Sequence, residues 1–273
     1  SYRGRCITCA CRTSLLVHSR SMPSLAGSRP ISRLTNMAAY TDDSLIVQTA
    51  AGAVRGARVG TTNRWLGIPY AAAPVGPLRF RAPQPATPWA GVRDALSFGP
   101  VAPQQVNKLI PIPAGVEMSE DCLSLNIWTP AGASADSPKP VMLWVHGGAY
   151  FIGFSAQPVY NGANLAANGD VVVVTINYRL GALGWLDFRP YETEEHPFEV
   201  NLGLKDVVAA LRWTRDNIAG FGGDPNSVTL FGESAGAGIV TTLMTTPQTQ
   251  GLFHRAIAES TPATSVYTEK HSE

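Results

Sequence analysis

The sequence predicts an α/β fold built on a doubly wound, mostly parallel sheet, and three observations carry that expectation. Two runs, Val141 to Val145 and Val171 to Asn177, are almost continuously apolar and rich in β-branched residues, as strands covered on both faces must be. Leu202 to Ala219 places Leu204, Val208, Leu211 and Ile218 on one helical face, with Val207 beside it and Gly220 as a stop. Strand and helix patterns alternate from Val141 to Ala258, and that order winds helices onto both faces of a sheet.

Residues 1–36 stand apart. They hold six arginines, no acidic residue, many serines and three of the four cysteines, Cys6, Cys9 and Cys11. This stretch is expected to be a basic leader outside the folded unit, which is expected to run from 37 to 273. Translation upstream of a true start near Met37 is the favoured explanation; a mitochondrial transit peptide has the same composition and is the runner-up. No second ligand pair at zinc spacing accompanies the three cysteines, so no metal site is expected.

From Leu45 the elements follow in order. Leu45 to Thr49 and Ala53 to Val59 read as a hairpin around Ala50-Ala51-Gly52. Arg64 to Tyr70 reads as a strand, and the proline-rich run from Pro74 to Pro88 as an extended surface connection, because proline removes ladder donors. Leu123 to Thr129 alternates apolar and polar residues and ends at Pro130. A linker, Ala131 to Pro140, precedes the two buried strands, with a crossover helix expected within Ala156 to Gly169. Val228 to Phe231 and Ala256 to Ala258 complete the strand set.

Composition narrows the function classes. The 273 residues carry a net charge of +1, which implies no nucleic acid or acidic surface as partner. Apolar runs such as Val171 to Val174 fall far short of the ~20 residues a membrane span needs.

The strand Val228 to Phe231 runs into Gly232-Glu233-Ser234-Ala235-Gly236, a G-x-S-x-G pattern. Such a serine sits on a sharp strand-to-helix turn with its hydroxyl exposed, and the flanking glycines let the two backbones approach. Ser234 is therefore the candidate nucleophile. His146-Gly147-Gly148-Ala149-Tyr150 follows the strand Val141 to Val145 directly. Small residues there let backbone N–H groups turn towards a developing oxyanion, and the N–H of Ala235 sits where a second donor is needed.

Three segments resemble the type-B carboxylesterase family, which includes cholinesterases and bacterial para-nitrobenzyl esterases. They are Glu120 to Trp128, the His146 to Tyr150 loop, and Phe221-Gly222-Gly223-Asp224-Pro225 leading into the elbow. The resemblance covers about Ile46 to Glu259 and implies an α/β-hydrolase fold that acts on carboxylic esters without a cofactor, its partner a small-molecule ester. Carried over by position, Ser234 is the nucleophile, and Gly148, Ala149 and Ala235 supply the oxyanion hole. The resemblance also implies two structural ion pairs, Arg79 with Glu120 and Arg179 with Asp224. Glu233 reads as a local orienter rather than the triad acid, since its side chain must point away from that of Ser234.

Two departures from the family matter. The resemblance pairs the cysteine at position 122 with a partner where this chain has Ala102, so Cys122 is expected to be a free thiol; a reducing, cytoplasmic setting follows as an expectation. No Trp lies between Trp89 and Trp128, where cholinesterases stack a quaternary ammonium, so cation–π recognition of choline is not expected.

A Ser-His-acid mechanism needs a base and an orienting carboxylate. In this fold the acid and then the His follow the serine. After Ser234 come Glu259, Glu269 and Glu273 with His254 and His271. A βα unit takes ~30 residues, so two separate loops do not fit in that stretch. His146 belongs to the oxyanion loop, His18 to the leader and His196 to an acidic surface loop. The expectation is a domain truncated after the strand that follows the elbow, its acid and histidine lying beyond residue 273. A catalytically inactive, cholinesterase-like interaction module is the alternative.

Overall fold

The structure, a computed structural model, describes residues 40–108 and 110–262. The leader reading for residues 1–36 and the candidates Glu269, His271 and Glu273 lie outside the described residues.

The described strands form one mixed sheet. In chain order they are β1 (Tyr40–Gln48), β2 (Ala53–Val59), β3 (Thr62–Pro69), β4 (Val92–Asp94), β5 (Ser124–Pro130), β6 (Lys139–Val145), β7 (Val172–Ile176), β8 (Gly223–Glu233) and β9 (Arg255–Glu259). Their spatial order is β1-β2-β3-β5-β7-β6-β8-β9, with β4 alongside β2. From β1 to β7 the path is antiparallel. From β7 through β6 and β8 to β9 it is parallel. The candidate chemistry belongs to the parallel half.

Burial explains the two strand vocabularies. Every residue of β7 is buried, and in β6 Leu143 lies between Val174 of β7 and Leu230 of β8. β5 is buried along its whole length although its sequence alternates. Asn126, at its centre, is fully taken up by partners: its Nδ2 donates to Ser155 Oγ and Thr175 Oγ1, both at 3.0 Å, and its Oδ1 accepts from Gly67 N–H. A strand can therefore be fully buried and still alternate, provided each polar side chain finds a hydrogen bond.

The helices are α1 (Ala163–Gly169), α2 (Gly181–Trp185), α3 (Leu202–Asn217) and α4 (Ala235–Met244). Helix α1 occupies the end of the crossover expected between Ala156 and Gly169. Helix α3 stops two residues short of the expected Ala219, tightening into a 3₁₀ turn over Ile218–Phe221 that ends on left-handed Gly222. Val207, Leu211 and Ile218 of this segment are wholly buried. β4, with all three residues exposed, and α2, a single turn, carry no apolar periodicity and were not expected. β6 begins at Lys139, inside the expected linker. Pro140 sits at a register irregularity between Lys139 and Val141, where its missing N–H is tolerated. Among the described residues no helix is long and apolar enough to cross a membrane.

Leu143 tests the sheet core. Leu143→Ala is expected to cost about 2–5 kcal/mol by cavity formation, read as a drop in the denaturation midpoint. A loss below about 1 kcal/mol would contradict its place between β7 and β8.

Candidate active site

Ser234 occupies the single-residue turn between β8 and α4. Its backbone is at φ +53°, ψ −120°, a region a non-glycine residue enters only when its surroundings force it, at a cost of about 1–3 kcal/mol. Three features hold it. Ser234 N–H donates to Glu259 O of β9 at 2.9 Å, and Ser234 O accepts from Gly238 N–H at 2.9 Å. The third is steric: a Cβ on Gly236 would run into Val145 O at the end of β6, and one on Gly232 would lie 2.7 Å from both Val145 O and Gly236 C. Both obstacles are backbone, so neither can move aside. The glycines flanking Ser234 let α4 start directly against β6.

The loop after β6 is wound just as tightly. Gly148 is at φ +117°, and Ala149 and Tyr150 at +52° and +67°. The carbonyl of Gly148 accepts the N–H groups of Phe151 and Ile152, and the coil closes around that oxygen. Gly147 lies on the elbow: a Cβ there would be 2.8 Å from Glu233 O and 3.2 Å from Ser234 Cβ. Among the described residues the amides of Gly148 and Ala149 donate to no backbone carbonyl. Ala235 is the first residue of α4, so its N–H has no acceptor within the helix. The first residue of the glycine loop, Gly147, and the N-terminus of α4 thus meet at the serine, where a helix N-terminus favours negative charge.

His146 is not a base for Ser234. It is buried and stacked on Tyr178, with ring centroids 4.4 Å apart. Its Nδ1 lies 2.8 Å from Gly147 O, so Nδ1 carries the proton, and the Tyr178 hydroxyl donates to His146 O. Burial holds the imidazole neutral, lowering its pKa to about 4. His254 accepts the N–H of Val228 on Nδ1. That places it beside the middle of β8, about 20 Å along the strand from the serine at ~3.3 Å per residue. His196 lies in an exposed turn closed on Thr193. Glu259 lends Ser234 a carbonyl, and its side chain is exposed at the end of β9. Among the described residues no histidine and acid are brought together at the elbow.

The two ion pairs fare differently. Arg79 and Glu120 form a bidentate bridge, Nε–Oε2 2.5 Å and Nη2–Oε1 2.7 Å, and its solvent exposure makes it a device for geometry more than for stability. The expected pair of Arg179 with Asp224 is corrected: the partner of Arg179 is Asp206 of α3. The Asp224 carboxylate instead accepts Asn226 N–H, closing its own turn. Asp206 receives Arg179 Nη2 at 2.6 Å, Nε at 2.8 Å and the backbone N–H at 3.0 Å, while Nη1 donates to Arg81 O. Complete burial pushes the Asp206 carboxyl above the usual carboxylate range, opposed by the hydrogen bonds and charge of Arg179. The signal was present in the sequence as an acid directly beside Val207 and Val208 in the amphipathic helix, a position tolerated when buried only with a partner.

Cys122 is a free, buried thiol. Desolvation, with the Asp206 charge nearby, pushes its pKa far up, which leaves the thiol inert. It lines a small cleft together with Ala102, Arg179 and the Arg79–Glu120 bridge.

The chain finds counterparts among known proteins. Residues 43–273 match the Carboxylesterase family. The chain belongs to that family. It is 49% identical over 236 residues to carboxylesterase 3B of Mus musculus, covering 82% of this chain and 40% of that protein. It is 45% identical to the para-nitrobenzyl esterase of Bacillus subtilis, covering 79% and 43%. A solved PNB esterase superposes with a TM-score of 0.78 at 44% identity, covering 83% of this chain and 46% of that one. The fold of this carboxylesterase-family chain is thus the α/β-hydrolase fold. The chain spans about two fifths of the length of the curated relatives it matches.

Two consequences can be measured. Asp206→Ala leaves Arg179 buried and unpaired and is expected to cost about 3–5 kcal/mol, whereas replacing both partners with apolar residues recovers much of that loss. Full stability in Asp206→Ala would contradict the pair. His146, depressed in the folded state, contributes stability that is present above its unfolded pKa of about 6.5 and lost as pH falls through about 4. The loss amounts to about 3 kcal/mol. In His146→Gln the acid slope of the melting curve across that window is expected to be shallower by about one proton.

Proposed function

We propose that this chain carries the nucleophile and oxyanion hole of a serine hydrolase acting on small-molecule carboxylic esters. The backbone of Ser234 at φ +53°, wedged between β6 and α4, is the observation that carries the reading: strain of this kind is retained where a side chain must be presented. Ser234 Oγ attacks the ester carbonyl carbon. The carbonyl oxygen takes up the negative charge and is received by the amides of Gly148, Ala149 and Ala235, each such donor being worth about 3–4 kcal/mol in the transition state. The alcohol departs with the proton of the serine, leaving an acyl-enzyme on Ser234. Water then attacks the same carbonyl and releases the acid.

Proton transfer at both steps belongs to a histidine held by an acid. We assign both to residues C-terminal to Glu273; this is supported by the placement of His146, His196 and His254 and by relatives more than twice as long as the matched region. Glu233 stays a local orienter, its carboxylate lying over Gly147.

Hydrolysis of 4-nitrophenyl acetate and of a para-nitrobenzyl ester tests the reading. In the full-length enzyme Ser234→Ala is expected to lower kcat about 10⁶-fold, and the 273-residue chain alone is expected to turn over only marginally. Undiminished hydrolysis by Ser234→Ala would refute the nucleophile. Turnover by the isolated chain matching the full-length enzyme would refute the location of the base.

A further inference from the structure

The loop that presents the Gly148 and Ala149 amides lies outside the sheet ladder, so something else must fix it. Its far end is Gly153, at φ +111°, where a Cβ would sit 2.5 Å from Gly147 O and 2.6 Å from His146 Nδ1. Gly153 is therefore pressed against the first residues of the loop it closes. Its backbone polar groups are both engaged by one side chain. Gly153 N–H donates to Gln104 Oε1 at 2.8 Å, and Gln104 Nε2 donates to Gly153 O at 3.0 Å. The second proton of Nε2 goes to Ala102 O at 3.0 Å. Both amide protons and the oxygen are thus engaged, which fixes the orientation of the group. The carboxamide of Gln104 behaves like one rung of a β-ladder, formed across 49 residues of sequence.

Continuing along the chain, Ser155 N–H donates to Asn177 Oδ1, Ser155 Oγ accepts from Asn126, and Asn177 Nδ2 reaches Pro100 O. Asn126 and Asn177 are buried and sit on or beside the sheet, in β5 and just after β7. Gln104 is different: it comes from the connection after β4, and its contact is with the residue that touches His146 and Gly147. A displaced Gly153 would release Gly147 from the elbow and with it the amides of the two residues that follow.

We propose that Gln104 is a positioning residue for the oxyanion loop, holding Gly148 and Ala149 on Ser234 through Gly153. This rests on the assignment of those amides made above. It predicts a defect in transition-state stabilisation rather than in substrate affinity, because the loop receives charge that exists only as the tetrahedral species forms.

The test compares Gln104→Met, which keeps the side-chain length and removes the hydrogen bonds, with Asn217→Ala. Asn217 also clamps backbone with a carboxamide, joining Trp213 O in α3 to Ala50 N–H in the turn between β1 and β2, but it is remote from the elbow. In the full-length enzyme Gln104→Met is expected to lower kcat on 4-nitrophenyl acetate by about 10- to 100-fold with KM changed less than about twofold, since small misplacements at a reacting centre have effects of that size. Asn217→Ala is expected to lower the melting temperature and leave kcat alone. In the 273-residue chain, hydrogen exchange over residues 146–153 is expected to quicken about tenfold in Gln104→Met, with no change in α3. Wild-type kcat and unchanged exchange in a folded Gln104→Met, beside an inactive Ser234→Ala, would overturn this inference alone. An active Ser234→Ala would overturn the site assignment and this inference with it. Should Gln104→Met not fold, Gln104→Glu replaces it. Its carboxylate would face the carbonyls of Ala102 and Gly153, and it must show the same kcat loss for the proposal to stand.

Discussion

The close approach of Gly236 to the carbonyl of Val145 is the contact on which the rest of the site depends. It joins the end of β6 to the first turn of α4 at a separation no side chain could occupy, and it does so between backbones, which cannot relax by rotating a χ angle. Because β6 and β8 are neighbours in the parallel sheet, their carboxyl ends emerge side by side. One of them turns into the serine elbow and the other into the glycine loop. Strain at Ser234, left-handed geometry at Ala149 and Tyr150, and the packing of Gly147 on Glu233 all follow from fitting two chain reversals into that space. The sheet core supplies the stability against which such strain is held.

Around this contact the structure uses buried and half-buried polar side chains to fix irregular backbone. Arg179 and Asp206 tie the segment after β7 to α3, while Asn126, Asn177 and Gln104 tie the connection after the glycine loop to strands and loops on either side. Secondary structure satisfies its own donors and acceptors, but a loop at the carboxyl end of a sheet cannot. Its polar groups are costly when buried without partners, and side-chain carboxamides supply both a donor and an acceptor in one planar group.

Much of this was legible in the sequence. Hydrophobic runs located β6, β7, β8 and α3, because strands covered on both faces and an amphipathic helix leave strong periodic signals. The elbow and the glycine loop were legible for a steric reason: glycine at positions 232, 236, 147 and 148 answers a lack of space that is local and repeatable. Strand β4 and helix α2 left no signal, one being exposed throughout and the other a single turn. The partner of Arg179 was misjudged, since the sequence offers several acids and only the fold decides which of them is buried opposite the guanidinium.

What the sequence determined by itself was the class of fold, the serine elbow and the glycine loop beside it, all set by patterns within a few residues. What only the tertiary structure decided was pairing across the chain: Asp206 rather than Asp224 for Arg179, Gln104 for Gly153, and His146 against Tyr178 rather than facing the serine. Each of those depends on burial and on direction, and neither is written in the spacing of residues along the chain. A charge or an amide becomes specific once packing has removed water from around it and left one partner within reach.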